Sequence, residues 1–177
     1  KLIYLILSVF LTGCMTTSFT NQAQLNLNKP NIEKSKKLSE WQKFANEGYT
    51  FLNKGDYTLA SEKFNNALKF DIKNSNLQAL NGIAYHLNAK YQDANNYQLA
   101  KQGYELASKF DPSNWVPFYL NGLINFKEKD YKKAKSNFIS AALKNWGNSE
   151  ILLDVAVASY YDLDFETSAK VIKHLKK

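Results

Sequence analysis

From about residue 41 onwards, apolar side chains recur three and four residues apart, the spacing of one face of a helix. Turn-forming residues interrupt this period and predict helices at about 41–53, 57–70, 75–88, 97–110, 115–128, 131–144, 149–161 and 165–176. Asp56, Asp130 and Asp164 stand just before three of these helices. A carboxylate there accepts a bond from a free backbone N–H and so starts the helix. Before residue 41 the pattern is different. Leu2–Leu11 is an apolar run interrupted only by Ser8, shorter than the about 20 residues that cross a bilayer. It has the length of a signal-peptide core, with Lys1 in front. From Met15 to about Ser39 no apolar period exists, and Thr, Asn and Gln dominate. This stretch reads as a flexible tether, whose roughly 25 residues span about 25–30 Å as a coil.

The helical part repeats itself. Gly48, Gly82, Gly122 and Ala156 are separated by 34, 40 and 34 residues. A small column at Ala60, Ala100, Ala134 and Ser168 has gaps of 40, 34 and 34, and a large column at Phe64, Tyr104, Phe138 and Ile172 keeps the same gaps. Leu80-Asn81-Gly82 returns as Leu120-Asn121-Gly122, and Lys69-Phe70-Asp71 as Lys109-Phe110-Asp111. Three columns agree on one period and one insertion. The units are 41–74, 75–114, 115–148 and 149–177, and the second carries six extra residues within Asn88–Asn96, read as a loop between its two helices. Gly or Ala at the helix crossing lets two backbones approach, and the large column fills the space between units.

The period and its columns resemble the tetratricopeptide repeat. Its Gly-x-x-Tyr appears here as Gly48-x-x-Phe51 and Gly82-x-x-Tyr85. Unit three departs with Asn125 beside Phe126, and unit four with Ala156 and Ser159. The closing Pro occurs once, as Pro112, with Ile72 and Trp146 at the other sites. The resemblance covers 41–177 and implies an all-α solenoid of about four helix-turn-helix units, with a concave face lined by the first helix of each. The positions it turns inward are Gln42, Tyr49, Asn53, Asn76, His86, Tyr119, Phe126, Glu150, Val157 and Tyr160, a polar and aromatic set suited to capturing a protein segment. The carboxylate clamp of Lys, Asn and Arg known in the family is not matched.

Leu11-Thr12-Gly13-Cys14 resembles the bacterial lipobox, which makes Cys14 the lipidated mature N-terminus. On that reading 1–13 is a lipoprotein signal peptide and 14–40 the lipidated Cys with its tether. Several acyl chains hold a protein firmly to a bilayer. Met15 rather than Asp follows the Cys, which by the same resemblance sends the protein to the periplasmic face of the Gram-negative outer membrane. The chain is similar to the small tetratricopeptide lipoproteins that accompany tight-adherence and type IV pili, some of them pilotins. This implies protein partners in pilus or secretion-system assembly. Related lipoproteins recruit peptidoglycan-modifying enzymes or assist envelope polymer synthesis. After the last helix no polar capping helix is evident, so either the chain continues, or a partner or a second copy of the chain covers that end.

Composition narrows the chemistry. One Cys allows neither an intrachain disulfide nor a thiolate zinc site, and His86 and His174 stand in different units. The expectation is no metal, no cofactor and no enzyme activity. The formal net charge is +7, carried entirely by Lys, with no Arg. Without the residue that reads guanine and grips phosphate in two-pronged fashion, a solvated Lys surface is the reading and nucleic acid is not an expected partner.

Overall fold

The structure, a computed structural model, describes residues 38–176. The signal-like run, Cys14 and the tether up to residue 37 lie outside them. Eight helices follow in order: α1 Glu40–Lys54, α2 Tyr57–Leu68, α3 Ser75–Tyr91, α4 Asn96–Phe110, α5 Val116–Lys127, α6 Tyr131–Lys144, α7 Ser149–Tyr161 and α8 Phe165–Leu175. No strand occurs among the described residues.

Six of the eight helix starts have a side-chain cause. Asp56, Asp130 and Asp164 accept from the backbone N–H of Leu59, Lys133 and Thr167, at 3.3, 3.1 and 3.1 Å. Asn74 and Asn148 do the same for α3 and α7, accepting from Leu77 and Ile151 at 3.1 and 3.3 Å. α1 starts at Ser39, whose own N–H donates to the Gln42 carboxamide at 2.9 Å. Its end is closed by Gly55 at φ 80, a left-handed conformation that Gly adopts without a Cβ clash.

Helices that follow one another pack side by side through short connections, so they run antiparallel and the chain grows as a one-dimensional stack. The repeat columns form its core. Phe64, Tyr104 and Phe138 are 0%, 1% and 1% exposed, and Ala60, Ala100 and Ala134 are fully buried. The glycine column explains itself at Gly82 and Gly122. An added Cβ would stand 2.7 Å from the Tyr104 ring in one case and 2.6 Å from the Phe138 ring in the other. In unit four the pair at these columns becomes Ala156 and Ile172, with a methyl where the glycine was and no ring opposite. Lysines next to the Ala column tie unit two to unit three and unit three to unit four. Lys101 meets Glu128 at 2.7 Å, and Lys135 meets Asp162 and Asp164 at 2.5 and 3.0 Å. Through that contact Lys135 holds the Asp164 carboxyl down at about 2.

The insertion in unit two is not a loop. α3 runs on to Tyr91, so most of the extra residues lengthen it by about a turn, and only 92–95 form the connection. The cause is Asn88, which is buried rather than presented to solvent. Its amide donates to Thr58 Oγ1 at 2.9 Å and Gln92 Oε1 at 2.6 Å, and its oxygen accepts from Asn96 at 2.6 Å. Tyr91 then stacks on Tyr57, with centroids 5.8 Å apart. The extra turn is thereby fastened to the start of α2.

Candidate functional site

α1, α3, α5 and α7 are the first helices of the four units and share one face of the stack. On α3, α5 and α7, residues three, seven and ten further along the helix share a stripe: Asn76, Ala79, Ile83 and His86; Val116, Tyr119, Leu123 and Phe126; Glu150, Leu153, Val157 and Tyr160. Of the ten inward positions, Asn53, Asn76, Glu150 and Tyr160 are exposed, and Gln42, Tyr49, His86 and Phe126 are half-buried. Tyr119 and Val157 are buried, 1% and 8% exposed, and belong to the floor of the stack rather than to its open surface. Gln42 also serves the start of α1 through its bond with Ser39.

Tyr119 is interior because it has a partner there. Its hydroxyl donates to Asp154 Oδ2 at 2.7 Å, linking α5 to α7 across two units. Its ring packs on Phe138 and Trp115, with centroids 5.5 and 6.0 Å away. Asp154 is the only buried charged side chain among the described residues. Burial pushes its carboxyl up to about 6, against the opposing effect of the Tyr119 bond. Sequence reasoning assigned carboxylates to turns and missed this one. The sole signal was an Asp in mid-helix between Leu153 and Val155.

A row of rings borders the face at the turns inside the units. His86 meets Tyr97, Phe126 meets Tyr131 and Tyr160 meets Phe165, at centroid distances of 5.6, 5.2 and 5.6 Å. The second helices carry their member of the row at the start, and the following unit covers Tyr97 and Tyr131. Lys127 lies over the Tyr97 ring and donates to its hydroxyl, and Tyr161 stacks on Tyr131 at 5.0 Å. The row ends in open rings, with Tyr160, Tyr161 and Phe165 at 52%, 43% and 56% exposure. The column Tyr57, Tyr97, Tyr131 and Phe165 repeats at 40, 34 and 34 residues and was the available signal for it. His86 is held inside this row, with Nδ1 3.1 Å from Tyr104 Oη. Burial, then Lys127 and Lys90, lowers its pKa to about 4, so the ring is neutral near pH 7.

The face is apolar and nearly uncharged. Along these stripes Glu150 is the one charged residue, and at their ends Lys90 and Lys127 lie over the Tyr91 and Tyr97 rings. Leu153 adds 41% of exposed leucine next to Tyr160. Among the described residues no group of three or more His, Cys, Asp or Glu could hold a metal ion, and no helix is long and apolar enough to cross a membrane.

No protein-family model and no curated protein matches the sequence. Solved structures do. A crystal structure of MamA protein is 15% identical with a TM-score of 0.67, covering 77% of this chain and 71% of that one. The first TPR of Spaghetti (RPAP3) bound to the HSP90 peptide SRMEEVD is 16% identical with a TM-score of 0.61, covering 68% of this chain and 91% of that one. The first TPR domain of the human RPAP3 protein is 17% identical with a TM-score of 0.60, covering 72% and 96%. At such identities the likeness is one of fold, and it agrees with the eight stacked helices. The described part of the chain is a tetratricopeptide-type α-solenoid.

Proposed function

We propose that this chain is a lipid-tethered scaffold that captures a segment of a protein partner on its concave face. The observation that carries the reading is the character of that face, with apolar and aromatic side chains on the stripes of α3, α5 and α7, open rings at one end, and Glu150 as the one charge along the stripes. Such a lining favours a segment with apolar anchors. The RPAP3 relative is seen with the acidic peptide SRMEEVD. The stripes themselves carry no lysine, and Lys90 and Lys127 at their ends lie over the Tyr91 and Tyr97 rings, so an acidic tail finds no cationic clamp along the stripes. Together with the lipobox-like Leu11-Thr12-Gly13-Cys14, this favours a partner in the bacterial envelope, captured near the outer membrane by a domain on a short tether. A tether of that length raises the effective concentration of the two partners at the membrane. Pilus or secretion-system assembly is the setting we propose, ahead of recruitment of peptidoglycan-modifying enzymes.

The test is a pulldown from solubilised membranes of the native host with the parent and with Leu153→Asp/Tyr160→Asp. Both side chains lie at the surface, and helical dichroism checks that the variant remains folded despite the loss of the Tyr160 contact with Phe165. The reading requires that a defined envelope protein be lost from the variant. Retention of every parent partner by the folded variant contradicts it.

A further inference from the structure

Both edges of the stack expose apolar side chains and lysines, with Leu163, Phe165 and Tyr91 open at the turns inside the units, but the edges differ in their acids and tryptophans. At one edge lie the turns inside the units. Their acids are occupied, since Asp56, Asp130 and Asp164 cap helices and Glu128 and Asp162 pair with lysines of the preceding unit. At the other edge lie the connections between units, the starts of α1, α3, α5 and α7, and the ends of α2, α4, α6 and α8. All three tryptophans of the chain are there. Trp41 opens α1, Trp115 precedes α5, and Trp146 sits in the α6–α7 connection.

Packing leaves this edge apolar and open. Ile72 and Trp146 stand in the connections after units one and three at 66% and 69% exposure, with Phe70 and Leu143 beside them at 59% and 69%. Phe70 touches the Phe44 ring at 6.1 Å and Trp146 the His174 ring at 5.8 Å, yet both keep most of their surface in solvent. Lys69, Lys73, Lys109, Lys144, Lys173 and Lys176 sit at the same helix ends and connections. The acids there are fewer. Asp71 and Asp111 are engaged by Asn74 and Ser113, Glu40 pairs with Lys43, and Glu150 remains. Favourable interaction with helix C-termini accounts for some of the lysines. It does not account for the exposed Ile, Leu, Phe and Trp.

Tryptophan at one level, lysine around it and aliphatic side chains at the tips are the chemistry of a bilayer interface. The apolar points come from connections of different units strung along one edge, which suits a flat surface better than a cleft. We propose that this edge rests on an anionic lipid surface, with Ile72 and Trp146 at headgroup level and the lysines on the phosphates. The concave face stays open in this arrangement, and the inference needs no lipid on Cys14.

Trp146 reports on it directly. In the full chain, Trp41→Phe and Trp115→Phe leave Trp146 as the only tryptophan. Its emission is read with vesicles of phosphatidylcholine alone, with vesicles containing phosphatidylglycerol, and with the same lipids brominated in the acyl chains. The expected result is a blue shift and quenching on the anionic vesicles, weakened by high salt and absent on neutral ones. Each lysine near such a surface contributes roughly fivefold in partitioning, so Lys69→Glu/Lys73→Glu/Lys144→Glu raises the lipid needed by about a hundredfold or more. Ile72→Asp, an exposed site that leaves the fold intact, likewise reduces the quenching. Helical dichroism checks each variant. Three results overturn the inference: an unquenched Trp146 in folded protein on anionic vesicles, equal quenching on neutral vesicles, or equal quenching in the triple-Glu variant. The last two would mean that the N-terminal apolar run brings the domain to lipid without this edge. A Trp146 response to an envelope protein but not to lipid also overturns it.

Discussion

Two titrating groups, the buried Asp154 and the half-buried His86, set the response of this solenoid to acid, and they oppose each other. Asp154 has a folded value of about 6, above the ordinary carboxylate range, because burial disfavours its charge. The folded state therefore holds a proton that the unfolded chain releases, and stability rises as pH falls from 7 towards 4.5. His86 has a folded value of about 4, below the ordinary 6.5, because burial and the nearby lysines disfavour its cation. The unfolded chain binds a proton that the folded state refuses, so stability falls over the same window. By linkage each effect is about 2 kcal/mol between pH 7 and 4.5, with opposite signs. The parent protein should thus be nearly flat in this range. Asp154→Asn keeps an oxygen to accept from Tyr119 but cannot ionise. It should unmask the histidine and lose about 2 kcal/mol on acidification. His86→Asn should do the reverse and gain stability towards pH 4.5. The assay is urea unfolding followed by far-UV dichroism at several pH values above 4.5. That range stays clear of Asp164, whose paired carboxylate stabilises above about pH 4 and loses this below it. Identical pH profiles for the parent and Asp154→Asn would refute the reasoning.

Gly122→Ala should destabilise even though Ala is the better helix former by about 1 kcal/mol, because its methyl stands 2.6 Å from the Phe138 ring. Overpacking of about 1–3 kcal/mol exceeds that gain. Combining it with Phe138→Ile, the pairing of unit four, should recover stability with a coupling of about 1 kcal/mol or more in denaturant melts, and strict additivity would count against it. Asn88→Ala should cost about 1–3 kcal/mol, since it strands the Asn96 amide and frees the extra turn of α3. Hydrogen exchange at 88–91 should accelerate in that variant while the other units keep their protection.

The repeat was legible because it is written in small and large residues at fixed separations. Gly122 and Phe138 are 16 residues apart in the sequence, and the period alone shows that they belong together. Turn acids were legible for a similar reason, since capping is local chemistry between Asp130 and the N–H of Lys133. The insertion was misread because a run of Asn, Gln and Asp reads as a loop. Asn88 is instead a buried hub whose partner Thr58 lies 30 positions away. Tyr119 was misplaced for the same kind of reason. Helical arithmetic gives the stripe on which a residue lies but not its depth, and the depth of Tyr119 follows from a bond to Asp154 in the next unit. The rim of rings went unread because each ring contact joins two helices or two units, although its Tyr57-to-Phe165 column kept the common gaps.

Capture of a partner on the concave face is tested most directly by a photo-crosslinking side chain placed in cells at Tyr160, with Leu106, exposed on the second helix α4, as the comparison. The account predicts one dominant adduct from Tyr160 that is absent from Leu106 and disappears when Leu153→Asp is added. Equal adducts from both positions, or an adduct from Tyr160 that survives Leu153→Asp, would contradict it.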